Sequence, residues 1–248
     1  MIVLKSPEEI EKMKKSGKLL SGVIKSVKEN IRPGVSTAEL NEIAEKAIMN
    51  LGAKPAFKGY RGFPSALCTS INEEVVHGIP SETRVLVSGD IIKIDCGLIY
   101  QGYYSDMAIS VPVGNVSAEA EKLMKVTKEA LKKGIRKAKA GNTLGEVGHA
   151  IQTHVEKNGF SVVRDLVGHG IGIKLHEEPQ IPNYGSKKSG IILENGMTLA
   201  IEPMVNYGEY KITFDSDGWT TRTKDGKLSA HFEHTIAITE NGTKILTD

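Results

Sequence analysis

The feature that most restricts how this chain can fold is a repeat with a constant offset of 107 residues. Ser6-Pro7-Glu8-Glu9 is a capping box with proline at the first helical position. Behind it Ile10, Met13, Gly17, Leu20, Ile24, Val27 and Ile31 recur at spacings of three and four, one buried face of a long helix that Pro33-Gly34 is expected to end. Ser36 and Glu39 form a second capping box, Leu40, Ile43, Ala44, Ala47, Ile48 and Leu51 line a second helix, and Gly52 supplies its stop. The arrangement then returns. Residues 118–138 read as a long helix with Ala120, Leu123, Val126, Ala130 and Leu131 inward. Gly141, Thr143 and Glu146 stand as Gly34, Ser36 and Glu39 do, Val147, Ile151 and Val155 repeat Leu40, Ala44 and Ile48, and Gly159 repeats Gly52. Two such halves, roughly 1–111 and 112–248, pack about a pseudo-two-fold axis with a shared site where they meet. No linker separates them. The expectation is one α+β domain over 1–248, with helices outside a curved, mainly antiparallel sheet.

Within the first half, Ile91–Val113 reads as a β-hairpin carrying Asp95 in one strand and Asp106 in the other. A two-residue turn at Tyr100-Gln101 pairs residue 95 with 106, so both carboxylates project on the same side, with Ile92, Ile94 and Ile109 around them. Like charges that close repel unless a proton or a cation intervenes. Taken alone, the hairpin is equally compatible with two solvated acids on an edge. The repeat adds a third acid, because position 95 plus 107 is Glu202, in the apolar run TLAIEPMV. A fourth, Glu233, lies in SAHFEHTIAIT, whose alternation puts Phe232, His234, Ile236 and Ile238 on one face and His231, Glu233, Thr235 and Ala237 on the other. Ionised acids are rarely buried unless paired or bound to a metal. Four in sheet interiors, without arginines nearby in sequence, favour cations.

GHGIGIKLHEEPQIPNYG supplies two imidazoles, His169 between glycines that leave room for a ligand to approach, and His176 seven residues on. A site of four carboxylates and one histidine is mostly oxygen and suits Mn²⁺, Fe²⁺ or Co²⁺ better than a structural zinc site would. Two cations sharing bridging carboxylates would let four acids tolerate one another, activate water and steady an oxyanion, which is the chemistry of hydrolysis.

Composition excludes several other classes. Hydrophobic residues make up 40% and charged residues 25%, ordinary for a globular chain, and the net charge of +2 is too balanced for nucleic acid to be the main ligand. No apolar run approaches the roughly 18 residues of a membrane span. MIVLKSPEEIEKMKK turns charged at once and is no secretory signal. Cys68 and Cys96 lack metal-knuckle spacing, and nothing points to an oxidising compartment, so a cytoplasmic protein is expected.

NEEVVHGIP, IDCG, YSDMA, GHGIG, LHEEPQIPNYG, LAIEPM and AHFEHT stand in the order found in type I methionine aminopeptidases, and the resemblance covers nearly the whole chain. It implies the pita-bread fold of two related halves, in a short form without an N-terminal extension. It implies two divalent ions, Co, Mn, Fe or Zn. By position, Asp95 chelates one ion, Asp106 and Glu233 bridge both, and His169 and Glu202 complete the other. A hydroxide between the ions attacks the scissile carbonyl, Glu202 is the general base, His176 bonds the carbonyl and its oxyanion, and His77 bonds the amide nitrogen. Spacing alone leaves His77 a loop histidine of unknown use, and His149, His154, His231 and His234 match no ligand position. Glu177 and Glu178 read either as groups supporting the site or as solvated acids.

The resemblance also places a methionine pocket at Tyr60, Phe63, Cys68 and Trp219, with His77, Leu175 and His176 at its edge. An unbranched thioether gains from aromatic walls and a soft sulfur neighbour. Phe63 stands where many relatives have tyrosine. The implied activity is removal of methionine from nascent chains when the next residue is small, by a monomer that docks transiently on the ribosome. Arg222, Lys224 and Lys227, with Lys187 and Lys188, are the candidate docking cations. Proline-directed relatives on the same fold, which carry a large N-terminal domain, and metal-free binding proteins, which lose ligands, are the rival classes.

Overall fold

The computed structural model describes residues 2–248. Four helices, α1 (Pro7–Glu29), α2 (Thr37–Asn50), α3 (Ala118–Lys137) and α4 (Leu144–Lys157), pack outside small antiparallel sheets. The first half supplies β1 (Lys54–Pro55), β2 (Leu67–Ile71), β3 (Glu74–Val76), β4 (Ile91–Tyr100) and β5 (Tyr103–Pro112). The second supplies β6 (Ser161–Val162), β7 (Gly168–Gly170), β8 (Glu177–Ile181), β9 (Thr198–Ile201), β10 (Met204–Asn206), β11 (Ile212–Phe214), β12 (Thr221–Thr223), β13 (Ser229–His231), β14 (His234–Thr239) and β15 (Gly242–Ile245).

Both early capping boxes form: Ser6 and Ser36 accept from the amides of Glu9 and Glu39, whose carboxylates return the bond. α1 stops earlier than Pro33-Gly34, where the Asn30 side chain donates from Nδ2 back to the Ser26 carbonyl and its backbone N–H turns onto Val27 O. Thr143 at the head of α4 makes no box; its hydroxyl donates instead to the Lys187 carbonyl at 2.6 Å. The 107-residue offset recurs in the backbone itself. Isolated bridges join Ser36 to Val85 and Thr143 to Ile192. Gly34 N–H donates to the Leu86 carbonyl and Gly141 N–H to that of Leu193, and β1 and β6 lie the same distance apart.

Each helix pair buries its apolar stripe against its own half. Leu20, Ile24, Leu40 and Ile48 meet Ile92, Ile94, Cys96 and Leu98 in one core. Leu123, Val147 and Ile151 meet Leu199, Ile201 and Ile236 in the other. A third cluster, with Ile10, Met13, Phe57, Phe63, Ile171, Leu175, Ala200, Ala237 and Leu246, fills the space between them. The N-terminal helix reaches the end of the chain here. A methyl on Gly17 would meet the Leu246 carbonyl oxygen at 2.2 Å, so only glycine allows this approach.

The hairpin register is shifted by two from the expected one. The turn is Gln101-Gly102, both at positive φ (50° and 83°), as a type I′ turn demands. Tyr100 therefore pairs with Tyr103, Asp95 with Ala108, and Asp106 with Gly97. A two-residue shift preserves the face, so both acids still project together. That face is the one opposite Ile92, Ile94 and Ile109, which belong to the first core or pack against it.

The two acids of the second half do not sit inside strands. β9 ends at Ile201 and β10 begins at Met204, with Glu202-Pro203 at the break; proline has no N–H for a ladder. β13 ends at His231 and β14 begins at His234, with Glu233 in the gap. At the first gap the chain leaves the five-stranded sheet β15–β14–β9–β7–β8 for the β13–β10–β6 sheet, and at the second it returns.

Across the seam between halves, side-chain hydroxyls replace ladder bonds. Asp106 N–H donates to Thr235 Oγ1 (3.0 Å), whose hydroxyl donates to the Asp106 carbonyl (2.8 Å). Ser110 Oγ accepts from His231 N–H and donates to the His231 carbonyl. Between them Glu233 N–H donates directly to Ala108 O at 2.9 Å.

Candidate metal centre and substrate pocket

That seam forms the floor of a cavity of about 210 Å³, lined by Asp95, Asp106, His169, Glu202 and Glu233 together with Tyr60, Phe63, Cys68, His77, Leu175, His176 and Trp219. Every candidate site residue from the sequence therefore meets in one place. Phe57 and Arg61 also line it, and no motif pointed to them.

Each acid reaches the floor by its face or by a break. On β4 and β5 the alternation that sends Ile94 and Met107 into the first core sends Asp95 and Asp106 the other way. Glu202 and Glu233 follow strand ends. His169 sits at a bulge of β7, opposite Ala200 of β9. The glycines beside it serve the neighbouring strands rather than a ligand: a Cβ on Gly168 would meet Ala200 O at 2.4 Å, and one on Gly170 would meet Glu178 O at 2.2 Å.

Burial and mutual repulsion set the electrostatics. Asp95, Asp106 and Glu233 are 8%, 4% and 2% exposed, too little for water to screen them. Burial first, then neighbouring carboxylates, push Asp106 and Glu233 well above the carboxylate range. Burial lifts Asp95 to about 6 and Glu202 to about 7. Among the described residues no lysine or arginine pairs with any of the four; the basic groups within reach are His169, 3.5 Å from Glu202 and 4.0 Å from Asp106, and His231, 3.7 Å from Glu202. Asp95 Oδ1 and Glu233 Oε1 are buried without any hydrogen-bond partner. One oxygen each of Asp106 and Glu233 and a His169 nitrogen lie within 4.8 Å of one another. Buried, unpaired oxygens facing a shared point fit a divalent cation, and oxygen-rich donors of this kind suit hard to borderline ions.

The wall above the floor is aromatic. Phe63 and Trp219 meet edge to face with centroids 5.1 Å apart, and the His77 ring stands edge-on to Trp219 at 6.3 Å. Trp219 comes from the turn between β11 and β12, and β12 pairs with β3 of the first half, which fixes the indole over the cavity. Cys68 lies across from Asp95 in the β2–β4 pair; burial, then the Asp95 and Asp106 charges, hold its thiol protonated. Both cysteines are free.

Two histidines flank the cavity in the neutral form. His77 has φ 61°, a left-handed conformation that costs energy outside glycine. It is held there by Gly78, whose carbonyl accepts from Thr69 N–H and whose own N–H donates to Ser70 Oγ. No sequence pattern announces this bend, which is why His77 is illegible without the fold. Burial, then nearby His231, lower His77 to about 4. His176 keeps one edge open to solvent, but its ring packs 4.3 Å from His169, and burial followed by the His169 charge lowers it to about 3. Tyr60 Oη lies 2.7 Å from His176 Nδ1; with the tyrosine donating, the other nitrogen keeps its hydrogen for the cavity.

Two sequence readings change. Arg222 is not a free surface cation: its guanidinium bonds Glu73, Glu74 and Asp215 and ties β12 to β3. Glu177 is a buried partner of Lys5 rather than a solvated acid, while Glu178 is exposed.

The profile of metallopeptidase family M24 matches residues 11–240. The chain is 53% identical to methionine aminopeptidase 1 of Bacillus subtilis over 247 residues, 100% of this chain and 99% of that protein. The crystal structure of a methionine aminopeptidase from Thermotoga maritima superposes with a TM-score of 0.98 at 50% identity, each chain fully covered. A prolidase from Pyrococcus furiosus superposes at 0.80 with 26% identity, and there the match spans 99% of this chain but 65% of the prolidase.

Proposed function

This chain belongs to metallopeptidase family M24, has its pita-bread fold, and on that footing we propose that it hydrolyses the bond after an N-terminal methionine when the next residue is small. The observation that carries this reading is the single cavity with four carboxylates on its floor, three of them buried, and an aromatic wall beside them. At about 210 Å³ it is smaller than the roughly 300–1,000 Å³ of pockets for drug-sized ligands. It suits one side chain.

The acids fit divalent metal, and Asp95, Asp106, His169, Glu202 and Glu233 would hold two such ions, of Co, Mn, Fe or Zn. Bound there, they supply Lewis acidity and a nucleophilic water at neutral pH. The residues of the chain do the rest. Glu202 takes a proton from the attacking water as the oxygen–carbon bond forms. His176 donates to the carbonyl oxygen as it gains charge. His77 holds the amide nitrogen, and that nitrogen leaves as an amine carrying the proton returned by Glu202. Phe63, Trp219, Tyr60, Leu175 and Cys68 receive the methionine side chain, and His77 crowds the next residue.

The test is cleavage of Met-Ala, Met-Leu, norleucine-Ala and Leu-Ala peptides, with and without chelator. Met-Ala should be cleaved, norleucine-Ala should follow closely, and Met-Leu and Leu-Ala should fail; chelator should stop turnover and Mn²⁺ or Co²⁺ restore it. One methylene in an apolar pocket is worth about 1–3 kcal/mol, so norleucine is tolerated, whereas leucine branches too early. Comparable rates on Leu-Ala and Met-Ala would replace this reading with a broad aminopeptidase.

We propose further that the protein works in the cytoplasm as a monomer and docks on the ribosome, where a nascent-chain substrate emerges. Lys224 and Lys227 are exposed, and Lys187 and Lys188 rim an open groove of about 660 Å³ with Lys133, Lys137 and Lys157 along α3 and α4. Reversing Lys224 and Lys227 to glutamate should weaken co-sedimentation with ribosomes at low salt while peptide cleavage stays unchanged. Unaltered sedimentation would remove these lysines from the docking surface. Arg222 is excluded from that test because reversing it would set a fourth acid against Glu73, Glu74 and Asp215.

A further inference from the structure

His231 lies against the acid cluster and has no part in the reading above. It ends β13, is 1% exposed, and its backbone is pinned on both sides by Ser110 Oγ. Neither ring nitrogen has a hydrogen-bond partner. A neutral imidazole carries one donor and one acceptor, so a fully buried ring with both unanswered is a group waiting for a ligand. Its Nε2 points at Glu202, 3.7 Å from Oε2. His169 Nε2 stands 3.5 Å from the other oxygen, Oε1. Glu202 is thus flanked by an imidazole at each oxygen.

These separations are too long for hydrogen bonds, which run about 2.7–3.2 Å. They match a nitrogen bound at about 2.0–2.1 Å and an oxygen bound at about 2.0–2.2 Å to a common ion, which lie roughly 3.3–3.7 Å apart at tetrahedral to trigonal angles. One ligand atom each of Glu202, His231 and Glu233 falls within 4.8 Å of the others, as one each of Asp106, His169 and Glu233 does. The floor therefore holds two three-group nests that share Glu233, one with each imidazole.

We propose that His231 is a metal ligand of this site, the second imidazole opposite His169, and that it biases the site toward Fe²⁺, Co²⁺ and Zn²⁺ and away from Mn²⁺ and Mg²⁺. This rests on the reading that the four acids hold divalent cations.

The experiment titrates metal-free wild type and H231Q with Co²⁺ by calorimetry and visible absorption, and counts imidazoles in the Co²⁺-loaded wild type by X-ray absorption. Glutamine keeps the size and polarity of the side chain without an imidazole nitrogen. H231Q should bind Co²⁺ about 10–100-fold more weakly, the scale on which removing a supporting group costs metal affinity, with altered d–d bands. Mn²⁺ binding should fall less. The loaded wild type should show two imidazoles per chain, a count that decides the matter even if H231Q does not fold. One imidazole, or an H231Q isotherm and spectrum superimposable on wild type, would overturn the proposal and leave the acids' role intact. Failure of the wild type to bind Co²⁺ would overturn both.

Discussion

Asp106→Asn and Glu233→Gln should each release metal and lower methionine removal by roughly 10⁴-fold or more, the scale on which one member of a catalytic unit is lost. Both replacements keep shape and remove charge. These two carboxylates are the most buried of the cluster, and burial with the neighbouring carboxylates pushes both well above the carboxylate range. Glu233 belongs to both three-group nests, and Asp106 stands between Asp95 and His169. Losing either charge weakens the hold on a cation from both sides. Metal analysis of the purified variants checks this directly. Retention of wild-type metal in either would show that it is not a bridging group.

His77→Ala and His176→Ala define the contrasting case. Both should keep their metal and lose about 10²–10³-fold in kcat, the cost of one transition-state hydrogen bond. Neither ring is among the groups whose ligand atoms converge on the floor, and burial holds both neutral, so each offers an N–H rather than a lone charge. For His176 the donor is set by Tyr60, whose hydroxyl occupies Nδ1. Near wild-type turnover in either variant, with metal content measured alongside, would remove that histidine from the reaction.

How much of this was legible beforehand differs from residue to residue. Asp95 and Asp106 could be read because strand alternation is a local signal and a register error of two leaves the face unchanged; Glu202 came from the repeat, Glu233 from the alternation of SAHFEHTIAIT, and His169 from a glycine-rich stretch whose glycines serve the neighbouring strands. The true turn was also legible, since Gly102 fits the second place of a type I′ turn and Tyr100 has no reason to sit in one. The strand breaks at Glu202 and Glu233 were not, because an apolar run looks the same whether or not its ladder is interrupted; Pro203 was the clue. His231 matches no ligand position of the family although its alternation places it on the face of Glu233. His77 and the pocket residues, drawn from four separate stretches, came from family resemblance alone. Arg222 reads as a surface cation because its three partners lie off its own strand, Glu74 on β3 and Glu73 and Asp215 in loops.

The hydroxyl seam has a consequence for when the enzyme can exist during its own synthesis. Asp106 is positioned by Thr235 and Ala108 by Glu233, while α1 closes against Leu246 near the other end of the chain. Contacts of such sequence separation form late, because the loop between them must close first. A polypeptide still lacking β13, β14 and β15 has Asp95, Asp106, His169 and Glu202 but neither Glu233 nor the seam that sets the two halves against each other, so its site stays incomplete until those strands are made and docked.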